Sequence, residues 1–310
     1  MKCQEIFVAI NNPENFSFQE CLRFLGRSDK EILHFIREDR LQRLVAVDDG
    51  IALITVSAGD RQQLRVEVLP VALTPGDEPG QISEEGLQYI RRYVSHWLDL
   101  DANLESFYKF AAKNPLLKGL PEQYKGLRLV GIPELFEAIC WTIIGQQINL
   151  AFAYTLRQRL ITEFGYSLDV AGNTYHLFPQ PEVIAALTPE MLTPLQFSRS
   201  KAAYLIYVAN AMVKGELSAA ALLQQDYAAA RESLIALKGI GNWSANYILM
   251  KYRRFPEALP LEDAGLHNAI RFRLQLPAKP TPAQLQELTG VWKEHAAYAT
   301  FYLWRTLLPQ

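Results

Sequence analysis

Two glycines and a carboxylate carry most of the chemical information in this chain. Leu237-Lys238-Gly239-Ile240-Gly241-Asn242-Trp243 lies between two helical patterns. The first runs from 226 to about 236 with Ala230, Leu234 and Leu237 apolar, and the second from about 242 to 252 with Trp243, Tyr247 and Met250 along one side. Glycine at both positions lets the backbone turn tightly with positive φ and keeps side chains out of the turn. The N–H groups of the turn and of the next helix could then hold an anion, which for a nucleic-acid protein is a backbone phosphate. A bare Gly-Ile-Gly is weak evidence by itself, since a simple helix–helix turn also accounts for it. Asp263 adds to it. It falls at an N-cap position, before the helical pattern of Leu266, Ala269 and Ile270, where backbone N–H groups and the positive helix end favour the ionised carboxylate. Such a group could stabilise a developing cation or orient a water, or it could simply be a cap. Trp243 and Tyr247 are four apart on one helix and share a face.

The elements that position these residues follow from pattern. Strands fit at 5–10, 43–47, 51–57 and 63–69, with a hairpin signal at Asp48-Asp49-Gly50. A short helix fits 18–25. A linker fits 74–80 by its Pro and Gly content. Beyond it the pattern is helical, near 86–98, 103–112, 134–144, 151–163, 181–186, 201–214, 227–236, 243–252, 265–272, 282–288 and 296–307, with room for a short hairpin in 164–178. The fold class is α+β. An N-terminal antiparallel-sheet lobe (1–82) precedes a mostly α-helical region (83–310), which holds the hairpin at 227–252 and the loop with the carboxylate at 259–266.

Apolar residues make up 49% of the chain and charged residues 21%, ordinary for a globular protein of 310 residues. The net charge of −2 gives no basic signature, so any nucleic-acid face must be local. Arg199, Lys201, Lys238, Lys251, Arg253, Arg254, Arg271 and Arg273 gather near the motif in sequence, as a phosphate-binding face or as solvated helix surface. Cys3, Cys21 and Cys140 are too few and too scattered for a disulfide framework or a zinc site. His267 has no His or Cys partner at ligand spacing. The first 18 residues lack a signal pattern, and no apolar run approaches the roughly 20 residues of a membrane span. The reading is a cytoplasmic, nucleoid-associated protein with no membrane partner, working as a monomer.

The Gly-Ile-Gly hairpin with its aspartate resembles the helix-hairpin-helix DNA glycosylase superfamily, and within it the AlkA-type 3-methyladenine DNA glycosylases. Three further segments carry the resemblance. They are Gly126-Leu127-Arg128-Leu129-Val130-Gly131 leading into Leu135-Phe136-Glu137-Ala138-Ile139-Cys140-Trp141, then Ile144-Gly145-Gln146-Gln147-Ile148-Asn149, then the run from Trp292 to Arg305. The resemblance implies two helical bundles with the active cleft between them. It disfavours the iron–sulfur branches of the superfamily, because no cysteine follows Asp263.

The resemblance also assigns roles. It implies that an alkylated purine in duplex DNA is swung out of the helix, with Gln147 filling the gap and Gly239, Gly241 and Trp243 at the phosphate. Trp243 and Tyr247 would wall the base pocket, where a cationic methylated base gains roughly 0.5 to 2 kcal/mol from an aromatic face. Asp263, rather than its neighbour Glu262, would stabilise the oxocarbenium-like transition state and guide water. Trp243 stands where strand-nicking relatives place a Schiff-base lysine, so simple hydrolysis is expected. The chain departs from the family at His295, where a second pocket tryptophan is usual, so His295 is expected in the pocket. It departs again at Ala264, which leaves room that an aromatic covers in some members. Phe18 or Phe24 could supply an aromatic from the N-terminal lobe. No cofactor is required. The carbonyls of Ile235, Leu237 and Ile240 could hold a monovalent cation, Na+ or K+. Two alternatives remain: a glycosylase of the same fold for oxidised or deaminated bases, and a non-catalytic DNA-binding module.

Overall fold

The computed structural model describes residues 3–48, 50–60, 62–72 and 80–309. Its N-terminal sheet has five strands: β1 (Gln4–Ala9), β2 (His34–Arg37), β3 (Arg40–Val47), β4 (Gly50–Ala58) and β5 (Gln63–Val71), in the order β1-β5-β4-β3-β2. Every neighbouring pair is antiparallel. The short β2 has no clear alternation and was not anticipated. Asp49 of the expected turn, and Thr74–Pro79 of the expected linker, lie outside the described residues.

Register gives the sheet two apolar faces. Leu41, Arg43 and Val45 pair with Val56, Ile54 and Ala52 and point inward, onto the helices Phe18–Leu25 and Glu84–Leu98. Leu44 pairs with Leu53 on the other face. That face is covered by a second hairpin, β6 (Tyr166–Val170) and β7 (Asn173–Leu177), through Tyr175, whose hydroxyl donates to the Gln42 side chain at 2.9 Å. Covering on both sides explains why β4 is a continuous apolar run over Ile51–Ile54 rather than a strict alternation. The covering hairpin comes from the helical region, so the two regions interlock.

The helix Leu135–Gly145 is the axis of the helical region, and its residues 135–144 are all buried. Its buried carboxylate, Glu137, pairs with Arg43 of β3 at 2.5 Å and with Arg157 of the helix Leu150–Phe164 at 2.6 Å, and Arg157 also meets Glu31. Four buried charges thus join sheet to helices with each carboxylate facing a guanidinium, the condition under which buried charge is tolerated.

The hairpin helices are Tyr227–Ile235 and Asn242–Ile248. The second ends in a π-helical turn, Leu249–Arg253, where an unbroken α-helix was expected. Over five residues, apolar spacing cannot separate 3.6 from 4.4 residues per turn. In this turn Lys251 is buried, its ammonium on the Val130 carbonyl and 5.0 and 4.6 Å from the ring centres of Phe24 and Phe301. The helices Ala264–Arg273 and Ala296–Arg305 pack together and bring their ends to the hairpin. Among the described residues, no helix is long and apolar enough to cross a membrane.

Candidate active site

Asp263 caps the helix Ala264–Arg273, its Oδ1 accepting the Leu266 N–H at 2.7 Å. Two indoles meet the same carboxylate. Trp304 Nε1 donates to Oδ1 at 2.8 Å and Trp243 Nε1 donates to Oδ2 at 3.1 Å. Tyr247 lies between the indoles, with ring centres 5.8 Å from Trp243 and 5.7 Å from Trp304. The aromatic wall and the carboxylate therefore form one unit. It faces a cavity of about 850 Å³ lined also by Phe24, Arg27, Trp141, Gln147 and Ala264.

The Tyr247 hydroxyl accepts from Trp141 Nε1 at 2.9 Å. Burial pushes its pKa up, with the Asp263 charge adding a smaller push, so the phenol stays neutral. Glu262 also lines the cavity, but it is exposed and accepts from the Asn242 side chain at 2.8 Å. Of the two carboxylates, only Asp263 is held by the indoles.

The hairpin turn differs from expectation in one respect. Gly239 has φ of 91°, and a Cβ there would meet the Tyr204 ring at 2.4 Å, so glycine is required twice over. Gly241 instead has φ −94° and caps the second hairpin helix in extended conformation. A Cβ on Gly241 would meet nothing within 4 Å, so its contribution is an uncovered backbone rather than an unusual angle.

Gln147 is exposed at the cavity rim, with a left-handed φ of 57°. Its neighbours hold the segment from two sides. Gln146 Nε2 donates to the Gly239 carbonyl at 2.8 Å and to Ser244 Oγ at 3.2 Å. Lys201 Nζ donates to the carbonyls of Ile143, Ile144 and Gln146 at 3.2, 2.5 and 2.6 Å, closing the end of the axial helix. Desolvation brings the Lys201 pKa down to about 8.

His295 is not in the pocket. It stacks on Phe110 with ring centres 4.6 Å apart and lies 6.3 Å from Phe107, at the opposite end of the last helix from Trp304. Burial lowers its pKa there. Trp292, used to set the spacing, is fully buried, and the indole that reaches Asp263 is Trp304. Phe24 lines the cavity, whereas Phe18 is buried away from it. Arg27 and Trp141, which sequence reasoning did not place, line it too.

The basic residues near the motif, read as a phosphate-binding face or as solvated helix surface, are mostly turned to backbone carbonyls. Lys251 and Lys201 are turned to backbone carbonyls, Arg253 to those of Leu223 and Gln225, Arg254 to those of Leu129 and His96, and Arg273 to those of Leu116 and Lys118. Chain bends leave carbonyls without N–H partners, and these cations satisfy them. Arg199 and Arg271 remain exposed, as does Lys238 beside the hairpin. His267 meets the Leu261 carbonyl at 2.7 Å, and no group of side chains suited to a metal ion occurs among the described residues.

Comparison with known proteins identifies the family. Residues 140–294 match the family described as HhH-GPD superfamily base excision DNA repair protein, and residues 10–139 match the 8-oxoguanine DNA glycosylase N-terminal domain. The chain is 38% identical to the DNA-3-methyladenine glycosylase of Bacillus subtilis over 97% of each chain. Its fold is similar to the 3-methyladenine DNA-glycosylase from Archaeoglobus fulgidus, with a TM-score of 0.76 at 20% identity over 99% of this chain and 97% of that one. It is likewise similar to the 8-oxoguanine glycosylase/lyase of Clostridium acetobutylicum, with a TM-score of 0.72 at 17% identity over 99% and 97%. The carboxylate between two indoles, the glycine hairpin beside it and these matches place the chain in the helix-hairpin-helix base-excision repair superfamily, to which it belongs as a DNA glycosylase of the AlkA type.

Proposed function

We propose that this protein hydrolyses the N-glycosidic bond of alkylated purines, of the 3-methyladenine and 7-methylguanine type, in duplex DNA. The observation that carries the reading is the Asp263 carboxylate, oriented by Trp243 and Trp304 at an open aromatic cavity. A carboxylate offers about four acceptor positions. Oδ1 accepts two donors and Oδ2 one, so Oδ2 keeps a lone pair for the sugar or for water. Alkylation at a ring nitrogen makes the purine cationic and a good leaving group, so no strong general acid is needed. As the glycosidic bond lengthens, positive charge grows on the sugar, and the fixed carboxylate stabilises it.

The rings of Trp243, Tyr247 and Trp304 supply the faces against which a swung-out purine stacks. Gln147, exposed on a braced loop, is the side chain that enters the duplex and hydrogen-bonds the orphaned base. Gly239, Gly241 and the backbone N–H of Trp243 meet the backbone phosphate. The carbonyls of Ile235 and Ile240 accept no backbone N–H among the described residues, and that of Leu237 accepts one from Ile240 at 3.1 Å. These three would hold a Na+ or K+ ion, which would supply positive charge to a phosphate at the hairpin. The hydrolysis itself uses no cofactor.

No lysine lines the cavity among the described residues, so the strand is left intact at an abasic site. The test is incubation of the protein with methylated duplex DNA. Release of free methylated purines, with strand breaks appearing only after alkali, supports the reading. No released base, or breaks without alkali, contradicts it.

A further inference from the structure

Arg27 is the one cation lining the cavity among the described residues. Its guanidinium lies 4.2 Å from the centre of the Phe24 ring, and one nitrogen donates to the Phe24 carbonyl at 2.8 Å. Among the described residues no carboxylate pairs with it, so most of its five N–H donors are without a protein partner. Beside it lies a second, smaller cavity of about 40 Å³, lined mostly by buried residues. Arg27, Phe24, Trp141 and Tyr247 line both spaces, whereas Asp263 lines only the larger. Arg27 therefore stands where the larger cavity adjoins the interior, its floor, a side that Asp263 does not line.

We infer that Arg27 reads the edge of the swung-out purine farthest from the sugar, and that it selects a 6-oxo base over a 6-amino base. The inference rests on the proposed function and refines its substrate class. A purine enters with its glycosidic nitrogen at Asp263, so its six-membered ring reaches the floor. There a 7-methylguanine presents a carbonyl oxygen, an acceptor for the guanidinium. A 3-methyladenine presents an amino group, a donor facing donors. Both bases are cationic in DNA, so the charge of Arg27 opposes both alike. The substituent at C6 makes the difference, because with N7 methylated the guanine edge still offers O6 as an acceptor for a guanidinium N–H, whereas the adenine amino group offers none.

The experiment measures release of both bases from one sample of methylated duplex DNA by wild type, Arg27→Met and Arg27→Lys. The ratio of 7-methylguanine to 3-methyladenine release rates is expected to fall about tenfold in Arg27→Met, the loss of one hydrogen bond from a charged donor. It should fall because 7-methylguanine slows while 3-methyladenine is unchanged or faster. Arg27→Lys keeps charge and donors without the planar fork and should lie between. A parallel loss of both activities, with the ratio constant, would mean that Arg27 only supports Phe24 and would overturn the inference. Should Arg27→Met fail to fold, an unchanged ratio in Arg27→Lys overturns it in the same way. If wild type releases neither base, the proposed function itself fails, and the inference with it.

Discussion

Trp304 and Asp263, 41 positions apart in the chain, meet through an indole N–H on the carboxylate oxygen at 2.8 Å. The contact joins the end of the last helix to the cap of the helix that follows the hairpin. Trp243 closes on the other oxygen, so the carboxylate cannot rotate without losing a charged hydrogen bond. Such bonds contribute about 1.5–3 kcal/mol each.

Trp304→Phe keeps the ring and removes the donor. The expected outcome is a fall in the single-turnover rate of base release by roughly 10- to 150-fold, with folding little changed, from the loss of one charge-assisted bond. A rate within twofold of wild type would show that the contact does not orient the carboxylate.

Lys201→Met leaves the Ile143, Ile144 and Gln146 carbonyls without their shared donor. The Gln147 segment loses one of its two braces. A fluorescent base analogue opposite the lesion should report weaker base extrusion, while cleavage of a lesion in single-stranded DNA changes less. Equal loss on both substrates would assign Lys201 to folding alone.

Glu137→Gln removes the carboxylate shared by Arg43 and Arg157 and leaves two guanidinium groups buried with one acidic partner, Glu31. A stability loss of about 3–5 kcal/mol in denaturant titration is expected. A loss below 1 kcal/mol would mean that the network contributes little to holding sheet and helices together.

Acid should destabilise the protein before its carboxylates titrate. Burial lowers the pKa of His34 to about 4 and that of His96 to about 4. The folded state thus binds fewer protons than the unfolded chain between about 4 and the ordinary histidine value near 6.5. Stability from these groups is complete above 6.5 and is lost as pH falls toward 4. For His34, which is fully buried, the loss between pH 6.5 and 5 is about 2 kcal/mol. Urea titrations at pH 7 and pH 5 measure it, and His34→Gln should flatten the difference. Identical pH dependence in wild type and variant would remove His34 as a cause.

What the sequence reveals is mostly local. Asp263 is recognisable as a cap because capping is decided by a handful of neighbouring residues, and Trp243 and Tyr247 because a single helix fixes their spacing. The same reasoning misplaces His295, since a count from Trp292 assumes which way a helix end turns, and the chain turns that residue against Phe107 and Phe110. Trp304 and Arg27 reach the cavity from opposite ends of the chain, which is tertiary information. The basic residues mislead for a related reason. Whether Lys251 or Arg254 faces DNA or a backbone carbonyl depends on where loops bend, and sequence charge does not show that. In the sheet, four of five strands follow from apolar pattern, while β2 is too short to give one.

The most direct measurement is single-turnover base release by Asp263→Asn on methylated duplex DNA, alongside its binding to duplex containing an abasic-site analogue. Asparagine retains the size and the capping oxygen but not the charge. The account expects release to fall by at least about 100-fold while binding stays within a few-fold of wild type. Release at the wild-type rate would contradict it, because among the described residues no other carboxylate is held by Trp243 and Trp304 at the cavity.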